Sequence, residues 1–366
     1  MLKQLSRIGI SSALAAMILT AFGFFYSNTP LQYTDPDGAT DYRWEGNRFF
    51  SQGTEGFSAG FTNNEGYYNL YDRAPDDPVD ILIMGSSQLE ASNVPMKDAT
   101  ANLLNAALPD DTVYNISVSA HTFLICADHL EAALEKYKPR KYVIIETERA
   151  QFTDEELRAA LAGQVPALFE GRDGMMEQLR KNPYLTLLAR QARNYLSSRA
   201  GEDMAWNPEL ELEEQWIQGD GSSVITGAGN ADTERPGGKN DNKRTVPLYS
   251  DEPPLGQLLA RIAETARKHD VQVIVLYHPP TLFYEAEGSW HLAIDDAPGA
   301  AESFRILCET HGLQIVDMSE RFLTEYETRH VLPHGFTNTA VGAGHLNKEG
   351  HAMIADELLR FITAPE

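Results

Sequence analysis

The chain has 366 residues, of which 42% are hydrophobic, and its formal net charge at pH 7 is −23. This length allows one large domain with extensions or two domains, and the hydrophobic fraction is sufficient for a core. The acidic charge argues against nucleic acid as a partner, because phosphate groups would be repelled; it is typical of a well-solvated surface.

An apolar segment without charged residues occupies residues 8–26, and Lys3 and Arg7 precede it. The segment is about long enough to cross a bilayer as a helix. Positive charges before it predict a cytoplasmic N-terminus and an external main domain. A cleaved signal peptide is the alternative, but Phe24-Phe25-Tyr26 is a poor cleavage site. We therefore expect residues 1–27 to be a signal anchor in the cell membrane, with an extracytoplasmic domain.

The remaining chain is predicted to form an α/β domain behind a short extension. Residues 28–78 lack periodicity, and we interpret them as a stalk or N-terminal extension. Apolar runs rich in Val and Ile predict strands at residues 79–85, 112–118, 141–147, 271–277 and 313–317. Helical patterns lie at residues 96–107, 122–137, 254–269, 298–311 and 348–362. This alternation predicts a doubly wound parallel sheet of about five strands, within a domain spanning residues 79–366.

Residues 149–253 interrupt the alternation and are interpreted as an insertion. Residues 153–199 predict two or three helices. Most of residues 218–245 are expected to be disordered, because they offer few apolar side chains to bury. Cys126 and Cys308 fall in predicted helices and are interpreted as buried thiols, although the sequence leaves a disulfide open.

Two short motifs far apart in the chain carry the chemistry. The first predicted strand ends at Gly85-Ser86-Ser87, and Gly344-His345 directly precedes the last predicted helix. The carboxyl ends of parallel strands meet at one edge of a sheet, where such folds place their sites. A serine there can be activated by an imidazole. Each motif alone is also compatible with a turn, a helix cap or a surface histidine.

These motifs resemble those of the SGNH/GDSL hydrolase superfamily. Residues 81–87 resemble its first block in a Gly-Ser-Ser variant, residues 114–120 its second strand, and residues 344–351 its final block. The resemblance extends to membrane-anchored, extracytoplasmic relatives, including the D-alanine transfer protein of the teichoic-acid system and alginate acetylation proteins. It implies Ser87 as the nucleophile, with Ser86 as the alternative, and His345 as the general base.

The chain departs from the family pattern at three places. The family has an aspartate three residues before the histidine, where this chain has Gly342. Asp317 and Glu148, each at a strand end, are the candidate replacements, although Asp317 could instead cap a helix and Glu148 could face solvent.

The other two departures concern the oxyanion hole. Ala120 replaces the glycine of the second block, and its backbone N–H can still donate together with that of Ser87. The family's asparagine donor has no counterpart, so Arg149 and Asn338 are the candidates.

Other histidines leave two interpretations open. Residues 334–339 either form a wall of the substrate pocket or a locally bonded turn, and His278 either lines the site or simply ends a strand. His345 and His351 do not share one helical face, so we expect no metal site there. The nucleotide-binding glycine motifs are absent from the sequence, and no cofactor is expected.

The sequence therefore favours an extracytoplasmic serine acyltransferase or esterase. The resemblance implies an acyl-serine intermediate. It also implies a substrate in which a cell-envelope carbohydrate carries an acyl group, with acetyl as the expected one. A membrane-bound acyltransferase is a possible partner. The alternative is a catalytically silent module that binds a glycan or such an acyltransferase, and the residue at position 342 favours this alternative.

Overall fold

The computed structural model describes residues 2–165, 215–218, 222–225, 254–286 and 288–364. Its helices are α1 (Leu2–Tyr26), α2 (Ser87–Glu90), α3 (Thr100–Ala107), α4 (Phe123–Tyr137), α5 (Asp154–Leu161), α6 (Leu255–Lys268), α7 (Ala300–Thr310), α8 (Ser319–Arg329) and α9 (Lys348–Thr363). Its strands are β1 (Ser27–Asn28), β2 (Gln32–Thr34), β3 (Tyr42–Trp44), β4 (Phe49–Gln52), β5 (Ser58–Phe61), β6 (Ile81–Met84), β7 (Val113–Asn115), β8 (Tyr142–Thr147), β9 (Gln215–Gln218), β10 (Ser222–Ile225), β11 (Gln272–Tyr277), β12 (Thr281–Ala286), β13 (Ser289–Ile294), β14 (Gln314–Asp317), β15 (His334–Gly335) and β16 (Val341–Leu346).

A five-stranded sheet in the order β14-β11-β8-β6-β7 forms the centre of the domain. Every neighbouring pair in it is parallel. Each of its strands lies within one of the five predicted segments, so the predicted parallel α/β fold is confirmed. The carboxyl ends of all five strands consequently meet at one edge.

The sheet separates two apolar cores. Ile81 and Ile83 of β6 belong to one core, whereas Leu82 and Met84 belong to the other. This alternation follows from the period of two along a strand, which points successive side chains to opposite faces. Both faces are covered, and for that reason these strands are continuous apolar runs.

The N-terminal extension is part of this packing. Tyr42, Phe50 and Tyr67 are almost fully buried and belong to the same apolar core as helix α4. Strands β4 and β5 form an antiparallel pair, and β1 at the end of α1 pairs with β4. Part of the segment interpreted as a stalk or N-terminal extension, residues 28–78, thus packs on the core of the domain.

The predicted insertion begins with core structure. Phe152, Leu157 and Ala160 are buried in the core, so residues up to α5 belong to the domain itself. Within the region predicted to be disordered, β10 pairs with β9 in a short hairpin. The remaining residues of that region, and the part of the predicted helical segment 153–199 that follows residue 165, lie outside the described residues.

Two further expectations concern the cysteines and the membrane. Cys126 and Cys308 are free and buried, as predicted for packed thiols. Within the described chain, no helix combines the length and apolar character that crossing a membrane requires. The signal anchor at residues 1–27 stays a prediction.

Candidate active site

Ser87 is the first residue of α2, directly after the carboxyl end of β6. Ser86 caps this helix, since its hydroxyl accepts the backbone N–H of Gln88 at 3.2 Å. Gly85 allows the tight turn, because a Cβ there would lie 2.1 Å from a carboxylate oxygen of Glu146. The turn places the Ser87 hydroxyl above the sheet edge, in the first turn of a helix.

His345 reaches this hydroxyl from β16. Its Nε2 lies 2.9 Å from Ser87 Oγ, across 258 positions of sequence. Gln88 joins the two elements, because its Oε1 accepts the backbone N–H of Leu346 at 2.7 Å. The Ser87–His345 contact is thus supported by a second contact between the same helix and strand.

The acid that orients His345 is Glu55, in the turn between β4 and β5. Its Oε2 lies 2.8 Å from His345 Nδ1, and its Oε1 accepts the backbone N–H of His345 at 3.0 Å. The prediction that Asp317 or Glu148 holds this position is wrong. Asp317 accepts the backbone N–H and the hydroxyl of Ser319 at the start of α8, as the helix-cap interpretation requires.

The glycines at 342 and 344 explain why the acid comes from elsewhere. Gly342 has a φ of 75°, and a Cβ there would lie 2.5 Å from the Cβ of Phe283. An aspartate at this position would therefore be strained and would clash. Gly344 has a φ of 96°, and a Cβ on it would lie 2.6 Å from Glu55 Oε1. The absence of a side chain at position 344 leaves room for Glu55.

The charges of Glu55 and His345 stabilise each other. Burial raises the pKa of Glu55, but the hydrogen bonds from His345 outweigh it, so the pKa is lowered. Burial lowers the pKa of His345, but the Glu55 carboxylate outweighs it, so the pKa is raised. Because a carboxylate only accepts hydrogen bonds, Nδ1 donates to Glu55, and Nε2 faces Ser87 as the acceptor of its proton.

Asn338 holds the Glu55 turn in place. Its amide donates to the backbone carbonyls of Gly53 and Gly56, at 3.0 and 2.9 Å, and its Oδ1 accepts the Gly56 N–H at 2.9 Å. The expectation that Asn338 supplies an oxyanion donor does not fit, because both functions of its amide are used. Through Asn338, the segment of residues 334–339 thus holds the turn that carries Glu55. Neither the pocket-wall interpretation nor the local-turn interpretation predicted this contact.

Ser86 contacts a different chain of residues. Its hydroxyl donates to Oε1 of Glu146 at 2.8 Å, and the same oxygen lies 2.9 Å from His278 Nε2. The Ser86 backbone N–H donates to the other carboxylate oxygen at 2.7 Å. Ser86 therefore lacks the direct imidazole contact that Ser87 makes. His278 is linked to the Ser86 turn only through the Glu146 carboxylate, which both residues contact.

Ser87 and Ala120 both line the small pocket at this site, and their backbone N–H groups are the candidate oxyanion donors. The Ser87 N–H lies in the first turn of α2, where N–H groups have no acceptor within the helix. Ala120 has a φ of 68° and lies in a turn closed by the His121 N–H donating to the Val118 carbonyl at 3.2 Å. The roles of Ser87 and Ala120 as oxyanion donors stay a prediction.

The Ala120 turn is braced by a buried carboxyl group. Glu90, at the end of α2, accepts hydrogen bonds from the Ser119 hydroxyl and from the Trp44 indole. The Tyr42 hydroxyl donates to the Ser119 carbonyl at 3.0 Å. Burial raises the pKa of Glu90 to about 7, although these hydrogen bonds and His345 act to lower it. The extension thus supports the loop as well as supplying the acid.

A small pocket of about 170 Å³ opens beside Ser87, and Ala120, Phe123, Glu148 and Phe152 are among the residues that line it. Glu148 accepts the amide of Gln88 at 2.8 Å, and burial raises its pKa. It is therefore neither the orienting acid nor a solvent-facing group.

Arg149, the other candidate donor, also lines this pocket. Its guanidinium pairs with Glu156 at 3.1 Å. A side-chain donor to the oxyanion stays unassigned.

Two histidines near the final motif are structural. His351 is buried in α9, and its Nδ1 lies 2.9 Å from the Thr100 hydroxyl on α3. His334 is buried in β15, and its Nδ1 lies 3.0 Å from the Thr281 hydroxyl. Burial lowers the pKa of each to about 3, so both are neutral.

Glu55 is the functional residue that the sequence did not reveal. It lies in a Gly53-Thr54-Glu55-Gly56 turn, in a segment without periodicity. The glycines indicated a turn, but no local signal distinguishes this acid from the other acidic residues of the chain.

The chain matches no protein-family model and no curated protein. Solved structures with loose similarity include the psychrotrophic esterase EstA from Pseudoalteromonas sp., at 14% identity and a TM-score of 0.36, covering 77% of this chain and 96% of that one. The acetyl xylan esterase AlAXEase is 9% identical with a TM-score of 0.38, and the match covers 78% of this chain and 100% of that one. A member of the lipolytic G-D-S-L family from Veillonella parvula is 10% identical with a TM-score of 0.36, covering 79% and 100%. The geometry of the chain itself, with Ser87, His345 and Glu55 in series, therefore carries the functional argument.

Proposed function

We propose that this protein is a serine acyl-ester enzyme of the SGNH type, in which Ser87 is the nucleophile, His345 the general base and Glu55 the orienting acid. The observation that carries the proposal is the continuous series of contacts from Glu55 through His345 to Ser87. A free serine hydroxyl is a weak nucleophile at neutral pH, and such a series is how enzymes activate it.

The chemistry proceeds in two balanced steps. Ser87 Oγ attacks the acyl carbonyl while its proton passes to His345 Nε2, and the alcohol leaves with that proton. Water or a sugar hydroxyl then attacks the acyl-serine and loses its proton to His345, which passes a proton to Ser87 Oγ as the bond between the acyl carbon and Oγ breaks. The N–H groups of Ser87 and Ala120 stabilise the oxyanion in both steps, and one such donor contributes about 3 kcal/mol in studied enzymes.

The size of the pocket supports a small acyl group. Its volume of about 170 Å³ is below the range of roughly 300–1,000 Å³ typical for drug-sized ligands. Phe123 and Phe152 stack on each other in the wall, at 5.7 Å between ring centroids. An acetyl group, or one slightly longer, fits this space, in keeping with the proposed acetyl ester of a cell-envelope carbohydrate.

The proposed location is the outer face of a bacterial membrane, with residues 1–27 as the anchor and a membrane-bound acyltransferase as a possible partner. Lys3 and Arg7, ahead of the apolar segment, support this orientation. Protease treatment of intact cells tests it. Degradation of the main domain is expected, whereas a protected domain would place it in the cytoplasm.

Covalent labelling tests the enzymatic proposal. A fluorophosphonate probe is expected to modify the wild-type protein at Ser87, as identified by peptide mass spectrometry. Ser87→Ala should abolish both labelling and hydrolysis of p-nitrophenyl acetate, whereas Ser86→Ala should retain the label. Among p-nitrophenyl esters, acetate should be cleaved faster than octanoate. Adding an acceptor sugar then separates a transferase, which forms a new ester, from an esterase, which does not.

The second candidate is the silent binding module. Its support was the glycine at position 342, and Glu55 now provides an acid in contact with His345. A folded protein without labelling and without turnover would favour the module over the enzyme.

A further inference from the structure

A second cluster of chemically active side chains lies outside the triad, where the N-terminal extension meets helix α4. It consists of Asp41, His121 and His129, whose ligand atoms all lie within 4.8 Å of one another. Asp41 directly precedes β3, His121 lies just before α4, and His129 lies two turns into that helix. The fold thus brings one carboxylate and two imidazoles together from segments about 80 positions apart.

The two imidazoles present their Nε2 atoms to the same carboxylate. His129 Nε2 lies 2.8 Å from Asp41 Oδ1. His121 Nε2 accepts the Asp41 backbone N–H at 3.2 Å and lies 3.4 Å from Asp41 Oδ2, so an ion would displace that N–H. The rings are stacked, with centroids 5.6 Å apart and planes inclined by only 4°. The Nε2 atoms of both rings lie on the side that faces Asp41.

The outer contact of His129 has the form found around bound metals. Its Nδ1 lies 2.7 Å from the Gly38 carbonyl and can only donate to it. This bond makes Nδ1 a donor, so without an ion Nε2 carries a second proton that it donates to Asp41 Oδ1, and a bound ion would replace that proton. Metal-binding histidines almost always make such a second bond to a carbonyl or carboxylate.

We propose that Asp41, His121 and His129 bind one Zn²⁺ ion. Two imidazole nitrogens and one carboxylate oxygen are a donor set that zinc takes, with Zn–N and Zn–O distances of about 2.0–2.2 Å and a water as the fourth ligand. The side chains of His129 and Asp41 are 20% and 15% exposed, which gives an ion and its water access from solvent. No metal site was predicted from the sequence, because that prediction concerned only His345 and His351 of the final motif.

The ion would act on structure rather than in the reaction. His121 follows Ala120 in the chain, and both residues line the pocket beside Ser87. Asp41 precedes Tyr42, whose hydroxyl holds the Ser119 carbonyl. Zinc would therefore link the N-terminal extension to the start of α4, next to the turn that carries Ala120.

Isothermal titration calorimetry of the full chain, free of any histidine tag, tests the proposal with ZnCl₂ alone. We expect one equivalent bound and a rise in Tm that EDTA reverses. His129→Gln and Asp41→Asn should each weaken zinc binding at least about 100-fold, somewhat more than the 10–100-fold typical of losing an outer contact. X-ray absorption of the zinc-loaded protein should show two imidazole ligands.

His269→Gln is the matched control, because His269 Nε2 also faces a carboxylate, that of Glu131 at 3.2 Å, but without a second imidazole. It should leave zinc binding unchanged. Wild-type protein that binds no zinc at 100 µM, or binding that survives Asp41→Asn in a folded variant, would overturn the proposal. The cluster would then be a hydrogen-bonded network only.

Discussion

Glu55 lies 2.8 Å from the Nδ1 atom of His345, although 290 positions of sequence separate the two residues. The contact joins a turn of the N-terminal extension to the last strand of the domain. The acid, the base and the nucleophile therefore come from three segments, and the three-residue spacing between acid and histidine in related motifs is not needed to form the series.

Replacing Glu55 by glutamine should lower kcat/KM for p-nitrophenyl acetate about 10²- to 10⁴-fold, because the imidazole loses the group that fixes its tautomer. Glu45→Gln, an exposed acid of the same extension that pairs with Arg48, is the control and should leave the rate unchanged. A Glu55→Gln enzyme with the wild-type rate would remove Glu55 from the mechanism.

The same variant should change the pH profile. His345 must be neutral to accept the proton, and its pKa is raised above the ordinary value of 6.5. Wild-type kcat/KM should therefore fall as pH decreases through a midpoint above 6.5. Without the Glu55 charge, burial lowers the pKa of His345, so the midpoint of the residual activity should move to lower pH. A midpoint unchanged in the variant would contradict this coupling.

An aspartate at position 342 should not rescue the Glu55→Gln enzyme. Gly342→Asp combines a positive φ with a clash against Phe283, so we expect a loss of about 1–3 kcal/mol or more in the free energy of unfolding. Gly312→Asp separates the two causes, because Gly312 has a φ of 74° with no atom within 4 Å of a Cβ. Urea unfolding should show a clearly smaller loss for Gly312→Asp, and restored activity in the double variant would be the contrary result.

Asn338→Ala should reduce turnover without removing any group of the triad. It deletes three hydrogen bonds to the Glu55 turn, which we expect to cost about 1–3 kcal/mol in unfolding free energy. Asn64→Ala is the control, because Asn64 makes similar bonds to the Arg73 backbone away from that turn. Both variants should have a lower free energy of unfolding, but only Asn338→Ala should have a lower kcat. Adding Glu55→Gln to Asn338→Ala should lower kcat by a smaller factor than adding it to the wild-type protein. Equal kcat values in the two variants would leave Asn338 with a purely structural role.

Glu90 should make the stability of the protein depend on pH. Its pKa is about 7 when folded and ordinarily 4.5, so the folded protein retains a proton that the unfolded chain releases in this interval. The associated stability is present below pH 4.5 and is lost as pH rises to about 7, a change of about 3 kcal/mol.

Urea unfolding at pH 5, 6, 7 and 8 measures this term as the difference between wild type and Glu90→Gln. The unfolding free energy of the wild type minus that of Glu90→Gln should decrease as pH rises, so the glutamine variant becomes the more stable one relative to wild type. Glu327→Gln, at an exposed position of α8, should give a difference that is nearly constant. A constant difference for Glu90→Gln as well would mean that Glu90 is ionised throughout.

The parts of the fold that were predictable are those with a local physical signal. The sheet strands are apolar runs because both faces of the sheet are covered, and α9 follows Asn347, whose side chain accepts the N–H groups of Glu349 and Gly350. Ser87 and His345 were predictable because each stands next to such an element. Their chemistry follows from strand ends meeting at one edge.

The parts that were missed depend on long-range packing. Glu55 and Asn338 lie in turns whose sequences give no period, and their roles follow only from contacts across more than 280 positions. The Asp41–His121–His129 cluster was missed for the same reason, since Asp41 belongs to the extension and His121 and His129 to the approach and body of α4. Tertiary contacts of this kind leave no trace in local composition.

The position of Glu55 has a practical consequence for how the protein is divided. A recombinant fragment starting at residue 79 would retain the parallel sheet together with Ser87 and His345, but it would contain a dyad without its acid. It would also expose the apolar surface that Tyr42, Phe50 and Tyr67 cover. Low activity in such a fragment would therefore reflect where the chain was cut, and expression boundaries should begin ahead of β1, whose pairing with β4 leads directly into the Glu55 turn.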